Sequence, residues 1–545
     1  MHSMADERFA PRFPADTLDA FALAPVSRTP DKPAVVECDA SGTVTAVSYR
    51  ALARRVDAYA EGLTAGGVGI GDRVVVASHT SASAIAVMLA CSRVGAVFVP
   101  VDPDIPALRL DAIIETTDAA AVLRPAGAAT SDHGRAPSGT FEADGRITLT
   151  GARTPRTRHR RTTVGGDPAY IIFTSGTTGR PKGVVMSHHS ALAFYRGTQR
   201  FGAVTPDDRV ASTSPLAFDV ALFDICVTMG TGATLIAVPR AYLSFPRRLL
   251  GHLEATGATV VHGVPSLWRP LLRHEPDRVA ALGEHLRGIL FAGENFPLAE
   301  LRHLRALLPR LRVVNAFGAT ETVACSFAEV PDPLPEDAEA LSIGHGYPGA
   351  EILLLDETGR PVDEPGVAGE MYIRCPSLFS GYWDDPEATR RVLVPDPLEP
   401  RSGQLVYRSG DLAYRDASGE LYFCGRADSM VKIRGNRIEL GEIERRLTEH
   451  PGVTSALVLA LDGPDGEAAL SAFLVAPGGT VTPAELAERC RRSMPVYMTP
   501  KRFLFLDALP LNANGKIDRT ALTALATTDT HAHPDREPHD ELLRR

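Results

Sequence analysis

Thr174-Ser175-Gly176-Thr177-Thr178-Gly179-Arg180-Pro181-Lys182-Gly183 follows the apolar run Tyr170-Ile171-Ile172-Phe173 and precedes Val184-Val185-Met186. The apolar run reads as a strand. The glycines behind it allow a tight turn and bring backbone N–H groups close to an anion. Thr174, Ser175, Thr177 and Thr178 add hydroxyl donors, and Lys182 brings a mobile positive charge. Such a loop is a cradle for the phosphates of ATP. Its spacing is not that of the common G-x-x-x-x-G-K-[ST] loop, because Lys182 stands between Pro181 and Gly183.

On either side of this loop, residues 34–238 alternate short Val/Ile/Ala-rich runs with helical patterns. The runs at 73–77 and 96–100 read as strands, and 82–94 reads as a helix. The alternation continues to about residue 330 and predicts an α/β fold. Two mainly parallel sheets would be covered by helices on both faces. Residues 351–422 are richer in strands, for example 351–355 and 369–373, and predict a smaller β-rich subdomain. A strongly helical pattern returns at 439–449. Residues 125–166 read as a loop, and their basic run at 153–161 as a solvated surface: no aromatics are interleaved for stacking on bases. Residues 527–545 read as a disordered polar tail, in which His531 and His533 are too few for a metal site.

Bulk properties exclude several classes. The chain has 545 residues, 44% hydrophobic and 23% charged, which suits a globular protein of two to four domains. A net charge of −9 argues against nucleic acid as the main partner. Seven scattered cysteines without a C-x-x-C pair argue against a disulfide framework and a zinc site, and fit a reducing cytoplasm. The sequence offers no signal peptide and no apolar run long enough for a membrane span.

Further motifs follow in order: 95–103 (GAVFVPVDP), 315–321 (NAFGATE), 407–411 (YRSGD), 425–428 (GRAD), 431–444 (VKIRGNRIELGEIE) and 509–519 (LPLNANGKIDR). With the Thr174–Gly183 loop they resemble the adenylate-forming superfamily, which includes acyl-CoA synthetases, luciferases and the adenylation domains of nonribosomal peptide synthetases. The resemblance runs from about Val47 to Arg519. The chain departs from the commonest peptide-synthetase pattern at Phe317, Ala319, Met430 and Asn512, none of which removes a charge the chemistry requires.

The resemblance implies roles residue by residue. Thr174, Ser175, Gly176, Thr177, Thr178, Gly179 and Lys182 would hold phosphates. Glu321 beside Thr320 would bind Mg²⁺, a cation that takes one or two carboxylates and completes its shell with phosphate and water. Phe317 would stack on adenine, Asn315 would bond its amino edge, and Asp411 with Arg426 would take the ribose. Lys516 would be the catalytic lysine bridging substrate carboxylate and nascent adenylate. Asp428 would be the hinge between an N-terminal core, 1–427, and a small α+β domain, 428–526, that turns between two half-reactions.

Asp219 in 218–223 (FDVALF) resembles the carboxylate by which amino-acid-activating members recognise the substrate amine. A buried carboxylate needs a cationic partner, and an ammonium supplies one; a simple helix cap is the alternative reading. Val220, Phe223, His262, Leu290, Ala292, Ala316, Ala324 and Cys325 would line the side-chain cavity, mostly apolar. His262 either bonds a polar group of the substrate or is a satisfied wall histidine. The expected acceptor is the phosphopantetheine thiol of a separate holo carrier protein, since no carrier motif follows Arg519, with Gly435 lining the pantetheine tunnel. The expected activity is thus amino-acid activation for nonribosomal or hybrid natural products. The alternatives are an acyl- or aryl-CoA ligase and a catalytically silent nucleotide-binding partner.

Overall fold

The computed structural model describes residues 16–38, 42–128, 136–150, 162–175, 181–202, 204–427, 430–463, 467–477, 481–510 and 517–532, without the side chains of 520 and 527–532. The described residues fall into two compact units. One comprises 1–104, 110–174 and 182–428, and the other 105–109, 175–181 and 429–545.

The first unit is built on three sheets. In the eight-stranded sheet, Arg73–Ala77 lies parallel to Val97–Val101 on one side and to Ala121–Pro125 on the other. Every residue of Arg73–Ala77 and Val97–Val101 is buried, as parallel strands covered on both faces require. The helix Ala82–Val94 between them starts where Ser81 Oγ accepts from the Ala84 N–H and stops at Gly95 in the left-handed region. Pro168–Thr174 and Lys182–Ser187 pair antiparallel, with Thr174 opposite Lys182. The glycine-rich stretch therefore stands between two paired strands, not between a strand and a helix.

The nine-stranded sheet carries six strands in parallel array, in the order Pro33–Cys38, Thr234–Ala237, Arg209–Ser212, Val260–Gly263, Gly288–Ala292 and Arg312–Phe317. The side-chain period of two sorts its faces. Val210, Val260, Leu290, Val314 and Ala316 join a large apolar core that also contains the helix Asp219–Thr231. Ala211, Val261, Ile289, Phe291 and Val313 face a second core under Trp268 and Leu271. The third sheet, Glu351–Leu355, Gly369–Arg374, Leu393–Pro395, Leu405–Arg415 and Leu421–Arg426, is antiparallel.

The second unit has its own core of Ile438, Leu440, Ile443, Leu447, Val458, Ala472, Leu486 and Cys490. The hairpin Met430–Ile433 and Asn436–Glu439 turns on Arg434 and Gly435, both at positive φ (50° and 72°). Two successive left-handed residues are what a tight two-residue hairpin turn demands.

Two expectations need correction. Residues 125–166 are not all loop: Ser138–Phe141 and Ile147–Thr150 form an antiparallel pair on the edge of the eight-stranded sheet. Asp144-Gly145, with Gly145 at φ 101°, makes the turn between them. The predicted tail also begins too early, because the helix Arg519–Ala532 runs through its first residues. No breaker interrupts that stretch before Pro534. The basic run at 153–161 and residues 533–545 lie outside the described residues. No helix among the described residues is long and apolar enough to cross a membrane.

Candidate active site

Thr174 and Lys182 face each other at the mouth of the hairpin, and Thr174 Oγ1 is buried without a hydrogen-bond partner. An orphaned buried hydroxyl is costly unless a ligand satisfies it, and a phosphate oxygen has that capacity. Lys182 Nζ stands 5.5 Å over the ring of Tyr382, whose strand Gly381–Tyr382 pairs with Val184 and Val185. The Tyr382 hydroxyl donates to Glu321 Oε1 at 2.6 Å. One tyrosine thus links the lysine of the loop to a fully buried glutamate. Gly176, Thr177, Thr178, Gly179, Lys516 and Asp428 lie outside the described residues. Ser175 belongs to the second unit, where its Oγ donates to the Arg437 carbonyl at 2.8 Å.

Thr320 and Glu321 sit in the tight loop between Arg312–Phe317 and Ser326–Glu329. The Cys325 N–H donates to the Phe317 carbonyl at 2.8 Å, closing the loop at its base. Gly318 is required there, since a Cβ would stand 2.4 Å from Ala324 Cα. Val323 has φ 66°, a strained value for a β-branched residue.

Asn315 donates from Nδ2 to the Ser342 carbonyl at 2.8 Å. That bond fixes the amide, so Oδ1 is the edge presented to a donor. Phe317 packs on Phe423 with centroids 5.3 Å apart. Asp411 and Arg426 are opposite each other across paired strands, and Arg426 Nη1 donates to Asp411 Oδ1. Arg426 Nη2 also holds the Ser409 carbonyl at 3.0 Å, which anchors the guanidinium. Asn315, Phe317, Asp411 and Arg426 are therefore braced from several strands.

Of the expected cavity residues, His262, Leu290, Ala292 and Ala316 share one face of the nine-stranded sheet. Leu290, Ala292 and Ala316 alternate along neighbouring strands, with Ala292 opposite Ala316 and His262 opposite Leu290. Phe223 on the helix Asp219–Thr231 stacks on His262, centroids 5.7 Å apart. Phe223, Leu290, Ala316 and Cys325 belong to one core, with Ala292 and Ala324 packed against it. Asp219 is the first residue of its helix, behind the N-cap Phe218, and its Oδ1 accepts from the Val220 N–H at 3.0 Å. It is buried. Burial pushes the Tyr170 and Tyr195 phenols well up, and the charge of Asp219 pushes both further. The carboxylate therefore stands in a region of low polarity, beside groups that stay neutral at physiological pH.

Tyr382 and Ser342 carry no signal in the sequence, because each meets its partner far along the chain, Glu321 at 61 positions and Asn315 at 27. Tyr382 follows a glycine in a short run, Gly381-Tyr382-Trp383, which carries no charge to draw attention.

The model of AMP-binding enzymes matches residues 24–383, and that of the AMP-binding enzyme C-terminal domain matches 442–516. The chain belongs to the family of AMP-binding enzymes. It is 34% identical to an L-proline–[L-prolyl-carrier protein] ligase of Pseudomonas fluorescens, over 91% of this chain and 97% of that one. A dimodular nonribosomal peptide synthase of Bacillus subtilis is 33% identical over 91% of this chain, which spans 20% of that larger protein. Among solved structures, the crystal structure of IdnL1 is 50% identical, with a TM-score of 0.85, covering 92% of this chain and 100% of the other.

Proposed function

We propose that the chain activates an amino acid as its aminoacyl-AMP, releasing pyrophosphate, and passes the aminoacyl group to the phosphopantetheine thiol of a separate carrier protein. The observation that carries this reading is Asp219, a carboxylate buried at the helix start beside a mostly apolar wall. A substrate ammonium is the cation whose charge such a carboxylate would stabilise most. The carrier-protein ligase of Pseudomonas fluorescens supports the same acceptor.

In this mechanism Thr174, Lys182 and the glycine-rich loop hold the β and γ phosphates. Asn315 Oδ1 accepts from the adenine amino group, Phe317 covers the ring, and Asp411, oriented by Arg426, accepts from the ribose. The substrate carboxylate attacks the α-phosphorus in line, and the pyrophosphate oxygen leaves with its electron pair. Two anions meet in that step, so positive charge from Lys182 and Lys516 lowers the barrier. The donor set around Glu321, a buried carboxylate beside Thr320, fits Mg²⁺, which when bound would screen the phosphates. The same proposal places a hinge at Asp428, between the core 1–427 and the small domain that follows, and places Gly435 at the pantetheine channel.

Carrier loading tests the reading. With ATP, Mg²⁺ and its amino acid, the purified chain should add one aminoacyl mass to a cognate holo carrier and none to the apo carrier. Faster thioester formation on free coenzyme A than on any carrier would favour the CoA-ligase alternative.

A second prediction concerns Tyr382. Tyr382→Phe keeps the ring beneath Lys182 and removes the donor to Glu321. Depriving a buried carboxylate of one hydrogen bond costs about 1–3 kcal/mol, which if felt in the transition state is roughly a 5- to 150-fold fall in pyrophosphate release. An unchanged rate would detach Tyr382 from the reaction.

A further inference from the structure

Ser212, Asp224 and His262 form a hydrogen-bonded chain outside the roles assigned above to phosphate, ribose and amine recognition. Ser212 Oγ donates to Asp224 Oδ2 at 2.6 Å, and His262 Nδ1 lies 2.7 Å from Asp224 Oδ1. Asp224 and His262 are fully buried, and Ser212 is nearly so. His262 Nε2 is also buried and has no hydrogen-bond partner. Strand register puts Ser212 opposite His262 and His262 opposite Leu290, on the sheet face that carries Ala316 and meets Phe223. The imidazole therefore belongs to the wall proposed for the substrate side chain.

The protons can be placed by elimination. A nitrogen and a carboxylate oxygen 2.7 Å apart share a proton, and imidazole nitrogen is the more basic of the two, so Nδ1 carries it. An imidazolium would place a second N–H on Nε2, buried without an acceptor, a costly arrangement. The neutral ring leaves a lone pair there instead. We propose that Asp224, anchored by Ser212, is a positioning residue that holds His262 in the Nδ1–H tautomer and makes Nε2 a hydrogen-bond acceptor for the amino-acid substrate. This rests on the amino-acid reading above. The group received is an N–H or O–H donor, from the substrate ammonium or from a side-chain hydroxyl. His262 is then neither a purely apolar wall nor a fully satisfied one.

Two measurements on the full-length chain decide it. Long-range ¹⁵N–¹H correlation on ¹⁵N-histidine-labelled protein, with the His262 signal assigned by its loss in His262→Phe, should show a protonated Nδ1 and a bare Nε2. Asp224→Asn, whose amide can donate to Nδ1, should move the proton to Nε2. Amino-acid-dependent pyrophosphate exchange supplies the second readout. His262→Phe should lose roughly ten-fold or more in kcat/KM, and His262→Gln, which keeps an acceptor near the Nε2 position, should recover most of it. A loss shared by every amino acid assigns the donor to the ammonium. A loss confined to hydroxylated substrates, measured against the valine/threonine and phenylalanine/tyrosine pairs, assigns it to the side chain. A wild-type Nε2–H or imidazolium at neutral pH overturns the proposal, as do His262→Phe kinetics equal to wild type or a glutamine variant as slow as phenylalanine. If amine-free acids are preferred throughout, the amino-acid reading fails, and the tautomer measurement still decides the role of Asp224.

Discussion

Lys516→Ala is expected to slow adenylate formation by roughly 10²–10³-fold, the scale for removing one charge-stabilising group from a transition state. Transfer from a preformed aminoacyl-adenylate to a holo carrier should stay near the wild-type rate. The two half-reactions separate because Lys516 lies in Asn-Gly-Lys-Ile-Asp-Arg, on the small domain proposed to turn away once the adenylate has formed. A compact ammonium on a flexible stem suits a charge that must enter and leave. Pyrophosphate exchange reports the first half-reaction, and single-turnover loading from synthetic adenylate reports the second. Equal loss in both, in a variant that melts like wild type, would contradict the assignment.

Asp219→Ala should raise the barrier to amino-acid activation by about 2–5 kcal/mol, the scale for leaving a buried charge without its partner. ATP affinity should barely change, because Asp219 lies on the helix Asp219–Thr231, whereas Asn315, Asp411 and Arg426 come from other strands. Comparing kcat/KM for the amino acid with the dissociation constant for ATP separates the two effects. A variant that uses the same amino acid as well as wild type would reduce Asp219 to a residue of the helix's first turn.

Much of the architecture could be read before any coordinates. The strand at 73–77 and the helix at 82–94 recur with the same bounds, Arg73–Ala77 and Ala82–Val94. Their legibility has physical causes: an unbroken apolar run marks the strand, while Ser81 and Gly95 mark both ends of the helix. The edge hairpin at 138–150 escaped because its two strands have four residues each, too few for a clear alternation. Its Asp144-Gly145 pair was the available signal.

The candidate site divides in the same way. Glu321, Asp411 and Arg426 can be proposed from the sequence because charge and motif coincide in one short stretch. The residues that brace them cannot. Tyr382 reaches Glu321 across 61 positions, Asp224 reaches His262 across 38, and Ser342 offers Asn315 a backbone carbonyl 27 positions away. Such partners are set by strand order and register, which a single sequence does not display. His262 shows the limit best. The sequence proposes a place for it on the wall, but the state of its two nitrogens depends on Asp224, a residue the sequence motifs do not mark.

The most direct test of the central claim is ATP–pyrophosphate exchange by the purified chain across the common α- and β-amino acids, with benzoate and fatty acids in the same panel. One amino acid, or a small related group, should drive exchange well above every amine-free acid, and Asp219→Ala should abolish that advantage. Exchange driven best by an amine-free acid, and indifferent to Asp219, would contradict the account.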